Sequence, residues 1–95
     1  MPFIQQDPRQ FTRWSVEALT PNQHGIYGLY NTTAWLYVGR GDIRQRLLDH
    51  LNGDNPCITR QRPTHFVAEV IAGDASQREK QLIEELGSFC NRRVG

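Results

Sequence analysis

The chain has 95 residues, enough for one small hydrophobic core and too few for two, and 38% of them are hydrophobic. No apolar run approaches the roughly 20 residues that a bilayer helix needs, and the opening MPFIQQDPRQF lacks the basic stretch and apolar block of a secretory signal, so a cytoplasmic protein without membrane contact is expected. A formal net charge of +1 argues against a strong unaided electrostatic grip on nucleic acid.

Ten of the eleven basic residues are arginines, the group suited to forked contacts with phosphate oxygens, although genome base composition could produce the same bias. Cys57 and Cys90 lie far apart with no paired spacing, which fits neither a disulfide framework nor a zinc site. Both are expected as reduced thiols.

Residues 1–24 read as an extended lead-in with one helical turn near Ser15 to Leu19, ended by Pro21 and Asn22. Phe3, Ile4, Phe11, Trp14, Val16 and Leu19 are expected to cover one edge of the core. Aromatic and β-branched residues then dominate from Gly25 to Asn31 and from Ala34 to Arg40, with Asn31, Thr32 and Thr33 between them, which predicts a β-hairpin. Its register matters because side chains alternate faces along a strand. A two-residue turn sends Tyr27 and Tyr37 to opposite faces; an odd loop brings them together.

Gly39 and Gly41 are expected to break the second strand. Asp42 with Gln45 three residues later predicts a capped helix through Leu51, stopped by Asn52 and Gly53. Ile43, Leu47 and Leu51 form its apolar stripe, with Leu48 on one margin and Arg46 and His50, one turn apart, on the other. Residues 52–64 read as a long loop, with room for one turn, carrying Arg60 and Arg62. HFVAEVIA predicts a third strand with Phe66, Ala68 and Val70 on one face.

Asp74 and Gln77 repeat the capping pattern before a helix ending near Leu86. Its apolar stripe is Ala75, Leu82, Ile83 and Leu86, and Glu79 falls in the middle. Burying a bare carboxylate costs several kcal/mol, so Glu79 needs a cation, a metal or several donors. A salt bridge to Arg46 or Arg44 is the plain structural answer. The functional one is that Tyr27, Tyr37, Arg46, His50 and Glu79 converge on one side of the sheet, a set that could supply what phosphodiester hydrolysis needs and that equally fits another acid, base and arginine chemistry.

These residues resemble the GIY-YIG nucleases. The naming motif stands here as Gly25-Ile26-Tyr27 and Tyr37-Val38-Gly39; Arg46 and His50 match a helix carrying an arginine and, four residues later, a histidine. Glu79-Lys80-Gln81-Leu82-Ile83 matches the E-x-x-L-I pattern that opens on the metal-binding glutamate, and Asn91 matches a C-terminal asparagine. Ser88 stands near a position where many relatives have proline, and Arg40 where many have lysine. The resemblance runs from about Leu19 to Asn91.

The resemblance implies an α+β (α/β) fold, a three-stranded antiparallel sheet flanked by helices, with a lead-in at 1–24, the nuclease domain at 25–91 and a short basic tail at 92–95. It implies a metal-dependent endonuclease acting on DNA with little sequence preference. Glu79 would hold one divalent ion, Mg2+ or Mn2+, and Arg46 the scissile phosphate; Tyr27 would position or deprotonate water, and Tyr37 and His50 would orient or share that proton. Tyr27 needs a pKa lowered by Arg46 or an onward acceptor such as His50. Gly25, Gly39, Arg40, Arg44 and Asn91 would contact substrate. A non-catalytic nucleic-acid-binding module and an RNA-directed nuclease are the alternatives, and affinity would come from a homodimer or a recruiting protein.

Overall fold

The computed structural model describes residues 3–91, and the expected basic tail at 92–95 lies outside the described residues. In chain order the elements are β1 (Arg9–Gln10), α1 (Arg13–Glu17), β2 (His24–Tyr30), β3 (Trp35–Asp42), α2 (Ile43–Leu51), α3 (Pro56–Gln61), β4 (His65–Val70), α4 (Ser76–Leu86) and a closing 3-10 turn at Phe89–Asn91. The strands form one antiparallel sheet in the order β1-β4-β2-β3. The sheet therefore has four strands rather than the expected three. Arg9 and Gln10 pair with Phe66 and His65 on the outer side of β4, a two-residue strand too short to carry an alternating pattern.

Alternation along β2 sorts its side chains into two cores. Tyr27 and Leu29 join Phe66 on one face, covered by Val16 of α1, Ile43 and Leu47 of α2, Ile58 of α3 and Cys90. Ile26 faces the other way with Val38 and Val67, beneath Phe3, Ala75 and Leu82 of α4. Of the expected lead-in residues, Phe3 and Val16 are buried, but Ile4 is exposed and Trp14 is 85% exposed. A helix of five residues has one inward position here, and Val16 takes it. Val70, expected on one face with Phe66 and Ala68, is exposed at the end of β4.

The two tyrosines share a face by a device other than an odd loop. Tyr30 pairs with Trp35 across Asn31 to Ala34, where Asn31 Oδ1 accepts from the amides of Thr33 and Ala34. One step further in, Leu29 pairs with Tyr37, so Leu36 is an extra residue on β3. This β-bulge shifts the register, placing Tyr27 opposite Gly39 and Tyr37 on the same side. Gly39 and Gly41 do not break the strand, which runs on to Asp42. Asp42 then caps α2, its Oδ1 accepting from Gln45 N at 3.2 Å.

The expected long loop contains α3. Asn55 caps it, accepting from the amides of Cys57 and Ile58, and Pro56 occupies the first turn, where its missing N–H leaves no intrahelical bond unmade. Cys57 on α3 and Cys90 in the 3-10 turn form a disulfide, with their Cα atoms 5.7 Å apart. The expectation of free thiols fails because α3 folds back to the chain end; spacing in sequence carries no information on that approach.

Candidate active site

Tyr27 has no exposed surface, and its hydroxyl lies 2.7 Å from His50 Nε2. The other ring nitrogen of His50, Nδ1, lies 2.7 Å from Asp54 Oδ1. Arg46, one turn before His50 on α2, packs its stem over Gly41, where an added Cβ would stand 3.5 Å from Arg46 Cγ. Its guanidinium meets Asp49 Oδ2 at 3.0 Å and Asp54 Oδ2 at 3.6 Å.

Tyr37 closes the cluster, its ring 6.2 Å from that of Tyr27 and 5.2 Å edge-on from His50. Unlike Tyr27 it is only half-buried. Of the two phenols, Tyr37 is the more accessible.

Burial decides the acid-base character of this corner. It pushes the Tyr27 phenol far above its usual range, Tyr37 alongside pushes it further, and the Arg46 guanidinium only partly offsets them. Tyr37 is likewise raised, chiefly by burial, against a lowering from Arg46 and a further rise from the negative charges of Glu79 and Asp54. Burial holds His50 below its ordinary value despite its hydrogen bond to Asp54 and the nearby negative charge. His50 is therefore neutral near pH 7, and both phenols keep their protons.

Glu79 stands on α4, which packs against the opposite face of the sheet from Tyr27. The helix that carries it therefore lies across the sheet from α2, which carries Arg46 and His50, so the five candidate residues do not all stand on one side, although the Glu79 charge still acts on Tyr37. The Glu79 side chain is 23% exposed and its Oε1 accepts from Arg40 Nε at 3.0 Å. The expected partners, Arg46 and Arg44, are elsewhere. Arg46 serves Asp49 and Asp54, and Arg44 keeps its Nε buried with no hydrogen-bond partner among the described residues.

Three residues expected to touch substrate are committed to the protein itself. Gly39 lies under Tyr27, and a Cβ there would collide with the phenol ring and stand 2.8 Å from Tyr37 Cε2. Gly25 is pressed against the backbone of β4 at Glu69 and Ile71, leaving no room for any side chain. Asn91 reaches across to Val38 on the edge strand, Oδ1 accepting from Val38 N at 2.6 Å and Nδ2 donating to Val38 O at 3.0 Å. The buried Ser88, near the position where many relatives have proline, donates its hydroxyl to the same Asn91 oxygen.

Sequence reasoning missed Asp54 and Asp49. The signal for Asp54 was its place four residues after His50, one helical turn, hidden because it lies beyond the end of α2 in an Asn-Gly-Asp-Asn run that reads as a loop.

No protein-family model matches the chain, and no curated protein does. Solved structures do match. Three of them are point mutants of the GIY-YIG N-terminal endonuclease domain of UvrC from Thermotoga maritima, each bound to its catalytic divalent cation. One is 23% identical with a TM-score of 0.72, and another is 22% identical with a TM-score of 0.73; each alignment covers 85% of this chain and 94% of the UvrC domain. A third is 22% identical over the same shares, with a TM-score of 0.72.

The chain has the GIY-YIG nuclease fold. Within this fold the donors suit an ion of limited protein coordination. Among the described residues no group of three or more His, Cys, Asp or Glu could cage a metal, whereas Glu79 presents one partly exposed carboxylate at the rim. A single carboxylate with water and substrate oxygens completing an octahedron is a common arrangement for magnesium. No helix among the described residues of this domain is long and apolar enough to cross a membrane.

Proposed function

We propose that this chain is a divalent-metal-dependent endonuclease that hydrolyses phosphodiester bonds in DNA with little intrinsic sequence preference. The observation that carries the reading is that Tyr37 stands beside Tyr27 and His50 and within reach of the charges of both Arg46 and Glu79, with Tyr27 fixed to His50. A binding module has no use for a carboxylate beside a phosphate, since the like charges repel. The fold shared with metal-bound endonuclease domains points the same way. DNA is preferred to RNA on the family resemblance.

Arg46, 38% exposed, takes the non-bridging oxygens of the scissile phosphate, exchanging its contact with Asp49 for bonds to the substrate while Asp54 keeps its hold on the other side of the guanidinium. Tyr37, the half-buried phenol of the pair, orients the attacking water. The role expected of Tyr27 passes to Tyr37, because a phenol with no exposed surface and a hydroxyl engaged with His50 does not reach that water. Tyr27 instead buttresses Tyr37 and Arg46. Glu79 would hold Mg2+ or Mn2+, which when bound adds positive charge at the phosphate oxygens and eases the ionisation of water. Arg40, half exposed beside Glu79, would take a neighbouring phosphate. With a net charge of +1, useful affinity rests on self-association or on a protein that delivers the substrate.

The test is to incubate supercoiled plasmid, single-stranded DNA and RNA with wild type, Glu79→Ala and Tyr37→Phe, in magnesium, manganese or chelator. Wild type is expected to nick DNA, chelator to stop it, and each substitution to slow it by at least about a hundredfold. Equal cutting by Glu79→Ala would remove the metal assignment. Tight binding with no cutting under any metal would favour the binding module.

A further inference from the structure

The contact between His50 and Asp54 fixes more than a distance. A neutral imidazole carries one N–H and one lone pair, and which nitrogen holds which is decided by its partners. An ionised carboxylate only accepts, so Asp54 Oδ1 at 2.7 Å requires the proton on Nδ1. Nε2 is then an acceptor and draws the Tyr27 hydroxyl proton toward itself across 2.7 Å. With its proton turned that way, the Tyr27 oxygen presents lone pairs elsewhere. The other oxygen of the same carboxylate, Oδ2, meets Arg46 Nη2 at 3.6 Å.

We propose that Asp54 is the positioning residue of this site, setting His50 as the Nδ1–H tautomer, turning the Tyr27 hydroxyl to His50, and holding Arg46 at the same corner with its second oxygen. The reading that Arg46 grips a phosphate is the one on which this rests. Asp54 itself touches no substrate. One carboxylate, 34% exposed, thus orders the buried phenol through His50 and the guanidinium directly. The charged and titratable groups facing His50 are Asp54, Tyr27, Tyr37, Arg46 and Asp49. Of these only Asp54 contacts Nδ1. Asp49 holds Arg46 more closely, at 3.0 Å, but makes no hydrogen bond to the imidazole, so it separates the two effects.

The experiment is long-range proton–nitrogen NMR of the His50 ring in the 15N-labelled full chain near pH 7, alongside cleavage kinetics. Wild type is expected as the Nδ1–H tautomer. Asp54→Asn, whose amide oxygen still accepts, is expected to keep it, and Asp54→Ala to lose it. Asp49→Asn is expected to leave the tautomer alone. Where DNA is cut, Asp54→Ala should lower kcat by roughly tenfold to a hundredfold, the scale for losing a group that orients a working side chain, with Asp54→Asn between it and wild type. An Nε2–H tautomer in wild type, or an unchanged tautomer in Asp54→Ala, would overturn the proposal. The NMR result stands without catalysis: absence of cutting by wild type with any metal removes the nuclease reading and leaves the tautomer assignment decided on its own.

Discussion

Removing the bridge between Cys57 and Cys90 should weaken this domain severely. The two residues are 33 apart in sequence, and the loop-closure relation for a cross-link of that span gives about 3.7 kcal/mol of stabilisation, exerted mainly by restricting the unfolded chain. A domain of this size has a total stability of roughly 5–15 kcal/mol, so the loss is a large fraction of it. At about 4–8 °C per kcal/mol, the midpoint of thermal unfolding should fall by about 15–30 °C. The assay is a pair of melts followed by circular dichroism, the oxidised chain against the chain in excess reductant, with Cys57→Ser/Cys90→Ser as a third sample. Thiol titration of the unfolded, unreduced chain supplies the control, and no free thiol is expected. Two titratable thiols, or melts that coincide to within a few degrees, would refute the reasoning. The bridge anchors the turn that carries Asn91, so loosening should begin at Val38 and be detectable as faster amide exchange there.

Gly39→Ala should cost about 1–3 kcal/mol, since its methyl group would drive Tyr27 off its seat in a close-packed core; an unchanged urea midpoint would contradict that placement. Stability should also depend on pH through His50. Its folded pKa is held below the ordinary 6.5, so as pH falls below about 6.5 the unfolded chain takes up a proton that the folded chain refuses. Stability is therefore full above that value and declines as pH drops toward the folded pKa. Urea melts between about pH 5 and pH 8 should show this slope in wild type and a shallower one in His50→Gln, and identical slopes would sink the argument.

What could be read from the residues followed how local each signal was. The hairpin, the Asp42 cap and the stripe of Ile43 and Leu47 are encoded by neighbours within one or two turns, and the structure has them. The pairing of Tyr27 with Tyr37 was readable as a condition on register, but the bulge at Leu36 that meets it was not, because no residue type requires a bulge there. Glu79 was readable as an oddity on an apolar stripe. Its partner was not, because Arg40 faces α4 only by virtue of which side of the sheet that helix covers. The disulfide, the short strand β1 and the reach of Asn91 to Val38 all join residues far apart in sequence, and pattern over a short window is blind to them. Gly25 and Gly39, expected to let substrate approach the backbone, are approached closely by the protein's own groups.

The amide that Asn91 lends to Val38 also bears on how copies of this chain can meet. An outermost strand with free N–H and C=O groups invites another strand to add to it, a common route to aggregation. Here the β3 side offers Val38 already satisfied by a side chain, and the opposite side ends in a strand of two residues. Both features interrupt the regular row of free groups that continuous sheet growth needs, which favours helices or loops as the joining surface of a dimer.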